Sequence, residues 1–270
     1  MKKIDLHIHT HYSDGIFSPI EILEMAAKNN YDVISITDHD TLEGYQYAKQ
    51  FIDNFNITLI PGVEISSYYK DKDVHILAYN FDHENKKLNK LLKKIQDNRL
   101  KRAEKIVDKL KNLGIHIQME KVIAMAGKSN LIGRPHIARV LVKNGDCNTN
   151  QEAFDYFLGN DSPAYVKKNT PSIEEICQTV DEAGGITVLA HPHTLFNDSY
   201  VRKILKKGVK GIEAFYSNYN DETIAQYSKI ANEFGIIRTG GSDFHGDLND
   251  FDIFGEYSAP EIVLEYLRKR

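Results

Sequence analysis

The chain has 270 residues, 41% hydrophobic and 27% charged, with a formal net charge of −4. That is the profile of an ordinary folded protein able to bury a sizeable core. It excludes a disordered or fibrous chain and a global basic field for nonspecific nucleic-acid binding, though not a local basic groove. Cys147 and Cys177 match no zinc or redox spacing, and there is neither an apolar leader nor an apolar run of membrane-spanning length. A reducing compartment, no membrane span and a cytoplasmic location are therefore expected.

Ile4, Leu6 and Ile8 alternate as in a β-strand, so His7 and His9, two apart, leave its other face together. Asp14 follows in a turn closed by Gly15. Ser18-Pro19-Ile20-Glu21 is a helix start, with Ser18 as N-cap, Pro19 in the first turn and Glu21 completing a capping box. The next strand, YDVISIT, ends in Asp38-His39-Asp40, and Asp40 is expected to cap a helix over 41–53. ITLIPGVEIS reads as a third strand with Glu64 near its end, and DVHILAY (73–79) as a fourth that contains His75. Strands alternating with helices, with polar residues at the strand ends, form the pattern of an α/β barrel.

The rhythm changes after residue 83. Leu88, Leu91, Leu92, Ile95, Ala103, Ile106, Val107, Leu110 and Leu113 recur at helical spacing, with a slip around Asn98–Arg102, until Gly114. Helices are expected over about 118–126, 133–143 and 150–158, then a connector, SPAYVKKNTPS. With no barrel-type strand there, residues 84–165 read as a helical lobe inserted between barrel segments 1–83 and 166–270, a lid over the strand ends. Ser172 and Glu175 start the next helix, Gly184-Gly185 ends it, and ITVLAHPH follows as strand and loop. Helix 198–207, strand GIEAFY, helix 220–234, strand IIRTGGSDFH and a closing helix over 261–270 complete the reading.

His7, His9, Asp14, His39, Glu64, His75, His191, Asp243 and His245 all fall at or just beyond predicted strand ends, the face that carries the active site in barrels. Asp243 and His245 repeat the two-apart spacing of His7 and His9. So many imidazoles and carboxylates exceed the needs of one ion and suit two or three. Mixed nitrogen and oxygen ligands without thiolate favour zinc, manganese or iron. His193 lies beside His191 as an outer support or proton donor, and Asp38 is placed to orient His39. His11 is near the group but in a turn; His83 and His116 read as bystanders.

HIHTHYSDG, ITDHDT, PGVEIS, AHPH and GGSDFH, in this order, resemble the PHP (polymerase and histidinol phosphatase) family. GRPHIARVL (133–141) resembles the branch of PHP-domain metal-dependent phosphoesterases that includes AMP and 3′,5′-nucleotide bisphosphate phosphatases and a related 5′→3′ oligoribonuclease. The resemblance implies a distorted seven-stranded (β/α) barrel with the helical lobe inserted. It implies a first metal on His7, His9, Glu64 and Asp243, a second on Asp14, His39 and His245, and a third on Glu64, His75 and His191. Arg134 and His136 would bind substrate, the guanidinium by bidentate contact with phosphate. Arg99, Lys101, Arg102 and Lys105 on the long helix read as a solvated face rather than a cleft lining.

The expected activity is hydrolysis of a nucleotide phosphomonoester by attack of a metal-bridged hydroxide. The substrate is a small phosphorylated molecule, and no protein partner is indicated. Trimming of short RNA is the first alternative, although no aromatic track accompanies the basic residues. Histidinol phosphate is a further alternative, disfavoured by the GRPH insertion and by Asp14. A non-catalytic metal-dependent binding or regulatory domain is the alternative of another class; the filled ligand positions argue against it.

Overall fold

A computed structural model of the chain describes residues 2–70, 72–127, 131–246, 251–265 and 267, with the backbone alone for 251–253. They form two compact units, Met1–Leu92 with Pro171–Arg270, and Lys93–Thr170.

In the first unit, β1 (Ile4–Ile8) is buried along its length. Ile4 and Leu6 pack with Leu77, Val188 and Ile237, and Ile8 packs with Ile22, Ile34 and Phe254. Helix α1 (Pro19–Lys28) carries the full capping box: Glu21 N–H donates to Ser18 Oγ at 3.3 Å, and Ser18 N–H to Glu21 Oε2 at 2.7 Å. Strand β2 (Val33–Ile36) runs parallel to β1, helix α2 (Glu43–Lys49) follows, and β3 (Thr58–Leu59) runs parallel to β2, closing a three-stranded sheet.

Strands β4 (Gly62–Tyr69) and β5 (Lys72–Tyr79) are an antiparallel hairpin. Helix α3 (Lys86–Asn112) starts in the first unit and continues as part of the second, with α4 (Met119–Ala126), α5 (Arg134–Asn144), α6 (Asn150–Ala153) and a π-helical turn over Phe154–Leu158. Their shared core includes Ile106, Leu110, Val122, Ile137, Leu141 and Leu158. No strand occurs among the described residues of 93–170.

The first unit resumes with α7 (Ile173–Glu182), β6 (Ile186–Leu189), α8 (Asp198–Leu205), β7 (Gly211–Tyr216), α9 (Asp221–Phe234), β8 (Ile237–Gly241) and α10 (Phe251–Glu256). Strand β6 is antiparallel to β5, whereas β7 and β8 continue in parallel, so β4 to β8 make a five-stranded sheet. Two short parallel bridges link the sheets, Ile8 to Phe244 and His39 to Glu64. They are carried by His9 N–H to Phe244 O at 2.9 Å, Asp243 N–H to His7 O at 2.9 Å and Asp40 N–H to Glu64 O at 2.8 Å. Ligand-bearing segments meet at both seams.

Four expectations change. The third strand divides into β3 and β4 around Pro61, which has no N–H for a ladder. No helix separates β4 from β5, so the parallel alternation fails there. Asp40 does not cap α2, whose N-cap is Leu42; at φ 51° Asp40 instead takes Ser66 N–H on Oδ1 at 2.7 Å. The closing helix is a 3₁₀ turn over Glu261–Leu264, and residues 266 and 268–270 of that segment lie outside the described residues. Among the described residues, no helix is long and apolar enough to cross a membrane.

Candidate metal centre

His7 and His9 leave the same face of the β1 segment, their ring centroids 5.2 Å apart. The seams bring them Glu64 from β4 and Asp243 from the turn after β8. His7 Nε2 lies 3.4 Å from Glu64 Oε2 and 3.2 Å from Asp243 Oδ1. His9 Nε2 lies 3.2 Å and 3.1 Å from the same two atoms. Four ligands at about 2.0–2.1 Å around a tetrahedral ion stand ~3.3 Å from one another, so this set has the spacing of a first coordination shell.

Two more groups share members with it. His9, Asp14, His39 and His245 converge, with Asp14 Oδ1 3.4 Å from His245 Nε2 and Asp14 Oδ2 3.6 Å from His39 Nε2. His39, Glu64 and His75 form the third, with Glu64 Oε2 3.0 Å from His39 Nδ1 and Oε1 3.0 Å from His75 Nδ1. His191 Nε2 also reaches Glu64 Oε1, at 2.9 Å. All nine expected positions thus meet around Glu64, Asp14 and Asp243, although the third group contains His39 where the resemblance implies His191. His11, His83 and His116 belong to none of the groups.

The donor set fits divalent cations on an observation of its own. His7 Nε2, His9 Nε2, His39 Nδ1, His75 Nδ1 and Glu64 Oε2 are buried and take no hydrogen bond among the described residues. Buried polar atoms left unpaired are costly, and these face one another across a few ångströms. Cations held by the neighbouring groups would satisfy them.

In the absence of a cation, the charges of the group act on one another. Burial would raise the pKa of Glu64, but His39, His75 and His7 outweigh it and hold the carboxyl well below its usual range. Burial would lower His7, but Asp243, Glu213 and Glu64 lift it well above the ordinary imidazole value. His39 goes the other way: burial dominates, Glu64 and Asp14 only partly offset it, and its pKa falls to about 3. A neutral His39 keeps a lone pair for a metal.

The surrounding bonds differ from expectation in one respect and add residues that sequence reasoning missed. Asp38 does not contact His39; its Oδ1 accepts Thr10 N–H and Ser13 Oγ–H, both at 2.7 Å, and its Oδ2 accepts Thr10 Oγ–H at 2.7 Å. It therefore pins the 10–14 turn, and Ser13 Oγ in turn lies 3.3 Å from His9 Nδ1. Tyr216 O–H donates to Asp243 Oδ2 at 3.1 Å. His193 Nδ1 bonds the Tyr219 hydroxyl at 2.8 Å. Two fully buried acids lie beneath the ligands: Asp5 accepts His7 N–H at 3.1 Å and Ser242 N–H at 2.9 Å, and Glu213 meets His7 Nδ1 at 3.0 Å. The signal in the sequence is an acid inside a buried strand, next to Ile4 and Leu6 for Asp5 and between Ile212 and Ala214 for Glu213.

In the second unit, Arg134 opens α5 and donates from Nη1 to Leu158 O at 2.9 Å and Asn160 Oδ1 at 3.1 Å. His136 Nδ1 accepts Gly133 N–H at 3.0 Å. Arg102 Nε donates to Val166 O at 2.7 Å, a contact within the unit rather than a solvated head.

Comparison with known proteins places this architecture. The chain is 34% identical over 249 residues to a 5′-3′ exoribonuclease from Haemophilus influenzae, covering 90% of each. It is 30% identical over 250 residues to a 3′,5′-nucleoside bisphosphate phosphatase from Chromobacterium violaceum, covering 91% of this chain and 88% of that protein. A solved structure from Bifidobacterium adolescentis, described as a candidate metal-dependent phosphoesterase, matches with a TM-score of 0.77 at 29% identity, over 96% of this chain and 90% of that one. The PHP domain matches residues 5–267, so the chain belongs to the PHP domain family.

Proposed function

We propose that the protein is a metal-dependent phosphoesterase that removes a phosphomonoester from a nucleotide of the AMP or 3′,5′-bisphosphate type. The observation that carries this reading is the four-atom set of His7, His9, Glu64 and Asp243, at shell spacing and sharing His9 and Glu64 with two further groups. Adjoining cation sites with a common carboxylate suit phosphoester hydrolysis, in which charge must be neutralised on several oxygens of one phosphoryl group. Two or three manganese, iron or zinc ions held there would supply Lewis-acid charge and a water of lowered pKa.

The remaining work falls to the chain's own groups. Asp38 acts as a positioning residue, ordering the turn that carries Asp14 and, through Ser13, the ring of His9. Tyr216 orients the carboxylate of Asp243. His193, held on Nδ1 by Tyr219, is assigned as proton donor to the leaving ester oxygen. Arg134, with no bond described for its Nε and Nη2 donors, is assigned with His136 to recognition of a substrate phosphate. For the fold, the two seams support a ring of β1, β2, β4, β5, β6, β7 and β8, a distorted seven-stranded barrel with β3 beside it. The helical insertion is assigned to substrate selection.

The 34% identity to the Haemophilus influenzae exoribonuclease favours a second reading, stepwise trimming of short RNA. A phosphate- and nucleotide-release assay with manganese, on 5′-AMP, a 3′,5′-bisphosphate, histidinol phosphate and a 5′-phosphorylated oligoribonucleotide, decides between them. Fastest phosphate release from the bisphosphate or AMP is expected. Nucleotide release from RNA alone would establish the second reading. No turnover of any substrate by metal-loaded protein would overturn both and leave a binding domain.

A further inference from the structure

Glu213 lies on β7 between two ligand segments that are distant in sequence, and its side chain is fully buried. One oxygen, Oε1, faces His7 Nδ1 at 3.0 Å. The other, Oε2, accepts the backbone N–H of His191 at 2.7 Å. His191 has φ 23°, a conformation unfavourable for a non-glycine residue that persists only where neighbouring bonds enforce it. A histidine that gives Nε2 to a metal keeps its one ring proton on Nδ1, and Glu213 Oε1 stands there to accept its hydrogen bond. The Nε2 lone pair would then serve a cation held together with Glu64 Oε2, 3.4 Å away, and Asp243 Oδ1, 3.2 Å away.

We infer that Glu213 is a positioning residue serving two metal ligands at once: it sets the tautomer of His7 and holds the strained backbone of His191, so that metal affinity depends on its two-acceptor carboxylate. The inference rests on the metal-centre part of the proposed function and is independent of the reaction catalysed. His9 provides a contrast. Its Nδ1 faces the hydroxyl of Ser13, which already donates to Asp38, so that ring is oriented through an intermediary. His7 meets its carboxylate directly.

Glu213→Gln tests this with an isosteric side chain. An amide has one acceptor where the carboxylate had two. If its oxygen stays on His191 N–H, its NH₂ faces His7 Nδ1, which must then accept, and the ring proton moves to Nε2, the nitrogen facing Glu64 and Asp243. If the amide flips, two donors collide at His191. Zinc titrated into chelator-stripped protein, with a competing chromophoric chelator, should bind about 10–100-fold more weakly in Glu213→Gln than in wild type. Circular dichroism should be unchanged. Unchanged zinc affinity and stoichiometry in the variant would overturn the inference. A second measurement needs no variant: ¹⁵N spectra of zinc-loaded wild-type protein should show the His7 proton on Nδ1, and an unprotonated Nδ1 would overturn it equally. Should the protein bind zinc as described yet release no phosphate from any substrate, the functional reading fails while this one stands.

Discussion

The two units bury different chemistry. The interior of the first contains Asp5, His7, His9, Asp38, Glu64 and Glu213, each at most 1% exposed, whereas His136 is the one buried polar side chain among the described residues of the second. The second unit is held by area removed from water: Leu110, Val122, Ile137, Leu141 and Leu158 need no partner but each other. Part of the first is a group of imidazoles and carboxylates whose buried atoms lack hydrogen-bond partners among the described residues and would be satisfied by cations. Beside its own apolar core, the first unit would gain stability from bound cations on the proposed function, whereas the second rests on packing. On the proposed function, activity belongs to the first and selectivity to the second.

This contrast can be broken in three places. The largest effect is expected at Glu64, whose two oxygens face His7, His9, His39, His75 and His191. Glu64→Gln should lower kcat/KM by ~10³-fold or more, equivalent to ~4 kcal/mol. Metal analysis should show a lower ion content while circular dichroism stays native. Full metal content and turnover would mean that the cage does not depend on its central acid.

Next comes the second unit's core. Leu141→Ala, at a fully buried position, should cost about 2–5 kcal/mol in denaturant unfolding. Zinc stoichiometry and affinity of the folded protein should match wild type; a loss of metal there would erase the distinction between the units.

The smallest effect belongs to Arg134. Arg134→Ala should raise KM for a bisphosphate about tenfold, the worth of one charge-assisted hydrogen bond, with kcat and metal content little changed. Steady-state kinetics on a mono- and a bisphosphate would sharpen the contrast if only the bisphosphate is affected. Equal KM values to wild type would remove Arg134 from recognition.

Local rules made much of this readable. The capping box of Ser18 and Glu21 is formed as the spacing predicts. The helical periodicity from residue 84 corresponds to α3, which runs without a break through the slip near Asn98. The period of two that puts His7 and His9 on one face acts over neighbouring residues only, as does the Pro61 interruption of the third strand, a residue without an N–H for the ladder. Glu213 is the opposite case. Its strand, GIEAFY, reads as an apolar run with one acid, and the partner of that acid is 206 residues away. Asp38 sits next to His39 in the chain, yet its carboxylate turns to Thr10 and Ser13, because β1 and β2 are paired and their ends adjoin.

By itself the sequence determined the family, the nine imidazoles and carboxylates that come together and the local elements that present them, because periodicity and capping depend on residues within a turn or two of one another. Which oxygen faces which nitrogen, where β4 turns back as a hairpin, and which buried acids stand behind the ligands were decided only by tertiary structure. Those relations arise where strands distant in sequence pair at the seams, and no local pattern encodes them.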